Sequence, residues 1–410
     1  MKYHNQRYTI QGIPVQTICK DFGTPLYVYD SEVIINQIEK LKFAFSGFKC
    51  KLKYAAKALT NSSILKLIHK QGCDVEAVSI EEVEICLNAG FSPNEIAFTP
   101  NSVHFSEIEK AIALGVFINI DNLHILNELG KNYGSSVPCS VRINPHILAG
   151  GNQKISVGHK DSKFGISIDY IDQVVQIAQK YKINLKGVHV HTGSDFSDVD
   201  VFMQGAQVLF NVAKKFSSIE IIDFGSGFKV PYKPGDKATD ITLLGQKMTE
   251  AVKKFGKEYG REPEIWFEPG KYLVSDSGIL FVHSNVLKKA HNTTFVGVDS
   301  GFNHLIRPMM YDSYHHIINV SNPEGEKGDF SVVGNICETD TFAWQRELSQ
   351  VSEGDILAIM NAGAYGFSMS SNYNSRPRPA EVMVYNGEAH LIRKRESVAD
   401  IIRTEVPMEF

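Results

Sequence analysis

Residues 51–100 read KLKYAAKALTNSSILKLIHKQGCDVEAVSIEEVEICLNAGFSPNEIAFTP, and this stretch decides the fold class. Three short apolar runs (51–56, 73–78 and 96–99) alternate with two stretches (63–69 and 81–89) whose apolar residues recur at helical spacing. Such a repeat predicts parallel strands joined by helical crossovers. Further strand-like runs follow at 117–120, 139–143, 185–191, 219–224 and 264–267, with helical patterns at 105–114 and 170–178 between them. Eight strands with helical crossovers are the pattern of an α/β (β/α)8 barrel. A doubly wound sheet alternates in the same way, so the count alone leaves both open.

After Gly270 the texture changes. The runs 278–286, 294–298, 330–333, 355–359, 381–385 and 390–393 read as strands, separated by turn signals such as Asn-Pro-Glu-Gly, Glu-Gly-Asp and Asn-Gly. A second, mostly antiparallel β domain, a barrel or sandwich, is therefore predicted.

Composition narrows the function classes. The 410 residues are 43% hydrophobic with a net charge of −4, enough for a large core and no argument for nucleic acid or an anionic membrane as partner. The six cysteines are scattered, without a CxxC pair, which suits free thiols in a reducing compartment. The polar N-terminus has no apolar h-region, and no run of 18 apolar residues occurs, so a cytoplasmic enzyme is expected.

In such a barrel, chemistry gathers where strands end and βα loops begin. Unusual polar residues are expected at that end: Lys57 after the first strand, Asp74 on the second and Arg142 on the fifth. His191-Thr-Gly-Ser194 follows the sixth, Gly225-Ser226-Gly227 the seventh and Glu268-Pro-Gly270 the eighth. Taken singly, such a lysine is usually a solvated side chain and a GxG a tight turn. Together their chemistry converges. A lysine can hold an aldehyde cofactor, and glycines let backbone approach a phosphate. A carboxylate can keep a pyridine nitrogen protonated, and a histidine can stack on its ring.

The ordered motifs Tyr54-Ala-Ala-Lys57, Ser162-Lys-Phe-Gly165, His189-Val-His-Thr-Gly-Ser194, Asp223-Phe-Gly-Ser-Gly-Phe228, Glu268-Pro-Gly270, Cys337-Glu338 and Gly363-Ala-Tyr365 resemble those of the fold-type III pyridoxal-phosphate decarboxylases. That family includes enzymes acting on diaminopimelate, ornithine and arginine. The resemblance runs from about residue 24 to the end of the chain. It implies pyridoxal 5'-phosphate as cofactor, a barrel over 28–272, and a β domain formed by 1–27 with 273–410. It also implies a head-to-tail homodimer with shared active sites. Carried over, Lys57 holds the cofactor aldehyde, Asp74 lines the site beside it, Glu268 binds the pyridine nitrogen and His191 stacks on the ring. Ser194, the turn Gly225-Ser226-Gly227, Gly270 and Tyr365 hold the cofactor, with its phosphate at Ser194, the turn and Tyr365. Arg142 belongs to the electrostatic network, and Cys337 from the partner subunit is the proton donor.

The substrate expectation rests on Val298-Asp-Ser-Gly-Phe-Asn-His-Leu-Ile-Arg307-Pro-Met-Met-Tyr311, which resembles the segment that offers an arginine and a tyrosine to a distal carboxylate. Diaminopimelate carries that carboxylate; ornithine, lysine, arginine and carboxy-polyamines, the competing substrates, are met by acid instead. An arginine beside a proline more often salt-bridges a surface carboxylate. Glu338 is expected on the distal ammonium, with Lys271 and Tyr365 also lining the substrate. Three positions depart from the family pattern: Lys271 replaces an arginine, Ser226 the middle glycine of the turn, and Asp340 is displaced by one place. No metal is expected, because His315-His316 lacks a carboxylate or thiol at ligand spacing. A catalytically dead, binding-only relative would have lost some of Lys57, His191, Glu268 or Cys337, and all four are present.

Overall fold

A computed structural model describes residues 1–147, 158–191 and 193–410. Thr192 of the expected histidine motif lies outside the described residues. The chain divides into two compact units. One comprises 35–230 with 237–273, and the other 1–34, 231–236 and 274–410. The expected boundary at 27/28 falls inside the strand Leu26–Asp30. That strand pairs in the second unit's sheet, which is why the division moves past it.

In the first unit, the strands Cys50–Ala55, Asp74–Ala77, Ile96–Phe98, Phe117–Ile120, Pro138–Asn144, Asn184–Val190, Ile221–Asp223 and Glu264–Phe267 are all parallel. The last pairs with the first, which closes an eight-stranded barrel. Helices Ser62–Lys70, Ile80–Asn88, Phe105–Leu114, Leu123–Tyr133, Ile171–Tyr181, Val199–Ala213 and Ile241–Tyr259 supply crossovers. Side-chain caps fix the starts of several: Asn61 accepts from Ser63 N–H, Ser79 from Glu82 N–H and Asn122 from Ile125 N–H. Phe45, Phe202, Phe224, Phe228 and Phe267 pack as one aromatic cluster, with Phe45 stacked on Phe267 at 4.3 Å.

In the second unit, strand Gly278–Ala290 is the organiser. Its first half pairs antiparallel with Leu26–Asp30 and Ile356–Ile359, its second half with Thr293–Val298. The sheet continues through Lys327–Val333 to Thr341–Ser349 on one side and through Ala380–Tyr385 to Glu388–Arg393 on the other. Most pairings are antiparallel, as the alternating pattern predicts. The core gathers Val15, Ile18, Leu26, Val28, Ile279, Phe281, Val382 and Val384. Among the described residues no helix is long and apolar enough to cross a membrane.

One expected site residue is displaced by the strand geometry. Asp74 opens the second barrel strand in register with Lys53, whereas Glu76 lies in register with Ala55, nearer Lys57. Strand side chains alternate, so both acids point to one face, but Asp74 sits about 7 Å further from the catalytic end. There it binds Lys51 at 3.0 Å and the fully buried Lys53 at 3.2 Å. Lys53 also donates to the Glu95 carbonyl and lies 4.1 Å over the Trp266 ring. Asp74 is thus the counter-ion of a buried lysine and not a neighbour of Lys57. Asp74→Ala is expected to destabilise the fold by about 3–5 kcal/mol, by stranding Lys53. Urea unfolding should show that loss, with activity near normal wherever the variant remains folded.

Candidate active site

The mouth of the barrel brings together Lys57, Glu76, Arg142, His191, Ser194, the 225–227 turn and Glu268–Lys271. Lys57 lies on a 3-10 turn directly after the first strand, with its Nζ 3.1 Å from Glu76 Oε2. The lysine side chain is 37% exposed and the carboxylate 1%, so the amine can be reached and its partner cannot. Burial, with Glu268 adding, pushes Glu76 up to about 7 against the pull of Lys57. Glu76 was not among the expected residues. Its signal was the strand alternation that puts it two places after Asp74.

His191 is brought down to about 3, first by burial and then by Arg142 and Lys57, so its ring is neutral near pH 7. Its Nδ1 accepts from the Ser226 N–H at 3.4 Å, and the Gly225 N–H donates to Asp223 at 2.9 Å. Two N–H groups of the turn expected to meet a phosphate are therefore engaged within the protein. The turn still needs its glycines. Both have positive φ, and an added Cβ would stand 2.7 Å from His191 Nδ1 at Gly225 and 2.2 Å from the Gly193 carbonyl at Gly227. Ser226, between these two positions, does not have a positive φ, so its backbone admits a side chain where the family pattern has glycine.

Glu268 is buried, and its backbone N–H donates to the Gly225 carbonyl at 2.7 Å. Its Oε2 lies 3.2 Å from His189 Nε2, though not aligned for a hydrogen bond, and its Oε1 has no partner. Burial opposes ionisation, but His189, Lys57 and His191 outweigh it and hold Glu268 below its ordinary value. Arg142 is buried over the Phe164 ring at 4.9 Å and feels the charges of Glu268 and Glu76. Lys271 is ion-paired with Asp195. At Gly270 an added Cβ would stand 3.2 Å from Ala55 Cβ, beside the end of the first strand. His189, Asp223 and Glu268 offer ligand-type atoms within 4.8 Å of one another. The cationic Lys57 and Arg142 beside them argue against a metal ion there.

A reachable amine, an orphaned buried carboxylate oxygen and a turn with no room for a Cβ at Gly225 or Gly227 fit the amine-, nitrogen- and phosphate-binding needs of pyridoxal phosphate.

The second unit holds a separate constellation. Arg307 opens the short helix Arg307–Tyr311, and its guanidinium lies 5.8 Å from the rings of Tyr232, Tyr311 and Tyr365. It is 8% exposed, and among the described residues it donates only to Ser313 Oγ at 3.4 Å and its buried Nε has no partner. No acidic partner is found for it among the described residues, so it is no surface salt bridge. Tyr365 adopts φ +57° beyond Gly363, where an added Cβ would stand 1.8 Å from the Val274 carbonyl.

Cys337 is exposed, with its thiol 3.3 Å from the Asn374 side chain, and Glu338 accepts from the Tyr373 hydroxyl. The displaced Asp340 is structural. It accepts from Phe302 N–H at 2.8 Å and Ile336 N–H at 3.1 Å, and burial pushes it up to about 6. His315 donates from Nδ1 to the Met360 carbonyl at 2.8 Å.

The family model described as the pyridoxal-binding domain of pyridoxal-dependent decarboxylases matches residues 31–275. A diaminopimelate decarboxylase of Methanothermobacter thermautotrophicus is 39% identical over 96% of this chain and 94% of its own length. One from Bacillus subtilis is 34% identical over 98% and 95%. The crystal structure of a diaminopimelate decarboxylase from M. jannaschii in co-complex with L-lysine superposes with a TM-score of 0.91. It is 32% identical, covering 99% of this chain and 98% of that one.

Proposed function

The chain belongs to the pyridoxal-dependent decarboxylases, and on that premise we propose that it acts on meso-2,6-diaminopimelate, releasing one carboxyl group as CO2 and leaving L-lysine. The observation that carries the choice of substrate is Arg307, a buried guanidinium with an orphaned Nε and no acidic partner among the described residues. A buried charge without a counter-ion is costly, and a substrate carboxylate bound bidentately balances it. Ornithine and lysine end in an ammonium and offer none.

When bound, pyridoxal phosphate supplies an aldehyde that condenses with amines and a protonated ring that accepts the electron pair released with CO2. Lys57 must lose a proton to act as a nucleophile, and Glu76, near 7, takes and returns it at neutral pH. Ionised Glu268 keeps a proton on the ring nitrogen, and neutral His191 presents an uncharged ring face. Arg307 fixes the distal carboxylate and Glu338 the distal ammonium, so only one end of the substrate is free to react. The Cys337 thiol delivers a proton to the carbon that has lost CO2. Cys337 and Glu338 serve the site of a second copy in a head-to-tail homodimer with shared active sites.

Mass spectrometry of products from meso-diaminopimelate tests both points. Wild type should form L-lysine; its absence with cofactor bound would overturn the substrate. Lys57→Ala and Cys337→Ala chains, each inactive, should regain up to about a quarter of wild-type activity when mixed and allowed to exchange, since half the dimers are mixed and each restores one of two sites. No regain despite confirmed exchange would mean that each chain builds its own site.

A further inference from the structure

Asp223 has no part in the chemistry above, yet it is fully enclosed beside the residue that matters most to the ring nitrogen. It ends the strand Ile221–Asp223, in register with His189 on the strand before. Its Oδ1 accepts from the Gly225 N–H at 2.9 Å, and its Oδ2 is buried without an aligned partner. One ligand-type atom from each of Asp223, His189 and Glu268 lies within 4.8 Å of the others. Two carboxylates this close and this buried cannot both be ionised.

We propose that Asp223 is a positioning residue: as a neutral carboxylic acid it ties the 225–227 turn to Glu268 and leaves Glu268 the anion of the pair. The surroundings decide which acid keeps the proton. Glu268 faces His189, Lys57 and His191. Asp223 faces Glu268 and His189, with Lys53 as its cation, and Lys53 is committed to Asp74. Arg142 and the Cys50 thiol are the other ionisable groups that feel its charge. Burial and the nearby Glu268 charge accordingly raise Asp223 well above its ordinary value, while Lys53 opposes. A protonated Asp223 accepts from Gly225 with one oxygen and has an O–H to donate towards Glu268 with the other. The two halves of the cofactor cradle, turn and carboxylate, are then held by one side chain. The inference rests on the pyridoxal-phosphate reading and not on the choice of substrate.

Asparagine copies the shape and donor–acceptor pattern of the neutral acid, and alanine removes both. The first arm measures melting of the apo proteins from about pH 4 to pH 8. A carboxyl whose folded pKa is raised stabilises the fold only below its unfolded value, near 3.8, and that stability is lost as pH rises towards the folded value. Asp223→Asn has no such titration, so its melting temperature should climb steadily relative to wild type as pH increases. Parallel profiles would overturn the proposal, because a merely structural aspartate would not move this difference. The second arm measures pyridoxal phosphate affinity by equilibrium titration. Asp223→Asn should bind within about threefold of wild type, and Asp223→Ala roughly 10- to 100-fold more weakly. An asparagine variant as weak as the alanine variant would show that the negative charge is needed and overturn the proposal, as would an alanine variant that binds like wild type. Should Asp223→Ala not fold, the two asparagine readouts decide alone. Neither arm depends on which amino acid is decarboxylated.

Discussion

Lys57→Ala is expected to abolish decarboxylation, with a loss on the order of 10⁴-fold or more, and to remove the borohydride-reducible link between chain and cofactor. Among the described residues, the neighbouring lysines Lys51, Lys53 and Lys271 are each already paired with an acid. Lys51 and Lys53 are held by Asp74 at the far end of their strand, and Lys271 is paired with Asp195. Lys57 alone follows the first strand with an accessible Nζ and a buried carboxyl partner. Rates with saturating cofactor and mass analysis after reduction check this together. A reducible adduct persisting in the variant would move the attachment point elsewhere.

Arg307→Ala should split the substrates apart. Losing a desolvated, charge-assisted pair costs about 2–5 kcal/mol, so kcat/KM for diaminopimelate should fall roughly 30- to several-thousand-fold. Slow turnover of L-lysine or L-ornithine, which make no such pair, should change by less than about threefold. Arg307→Lys should recover only part of the loss, because an ammonium lacks the planar fork. An equal fall for all three substrates would mean that Arg307 supports the fold and does not read the distal group.

The barrel was legible because its strands are short apolar runs, several of them separated by stretches of helical spacing; expected and observed strands differ by no more than two residues at either end. The site was legible where a motif carries its own geometry, as at Lys57 and at Gly225 and Gly227, whose backbone admits only glycine. It was less so where the answer depends on which residue a strand starts at. Asp74 and Glu76 share a face, and only the register with Lys53 and Ala55 tells which one meets Lys57.

His189 and Asp223 were hidden for a related reason. Each looks like a flank of its motif until strand pairing sets them side by side. In the β unit the strand Thr341–Ser349 escaped notice because its alternation breaks at Gln345, where φ is +43° and the pairing with Lys327–Val333 shifts register. Leu26–Asp30 belongs to a sheet whose other strands come from more than 200 residues further along the chain, which no local pattern reveals.

The central claim is that this chain selects its substrate by a distal carboxylate. The ratio of kcat/KM for meso-diaminopimelate to that for L-lysine, measured on one preparation of wild-type protein with saturating pyridoxal phosphate, tests it most directly. A ratio of about 30 or more is expected. A ratio near one, or a preference for lysine or ornithine, would contradict it.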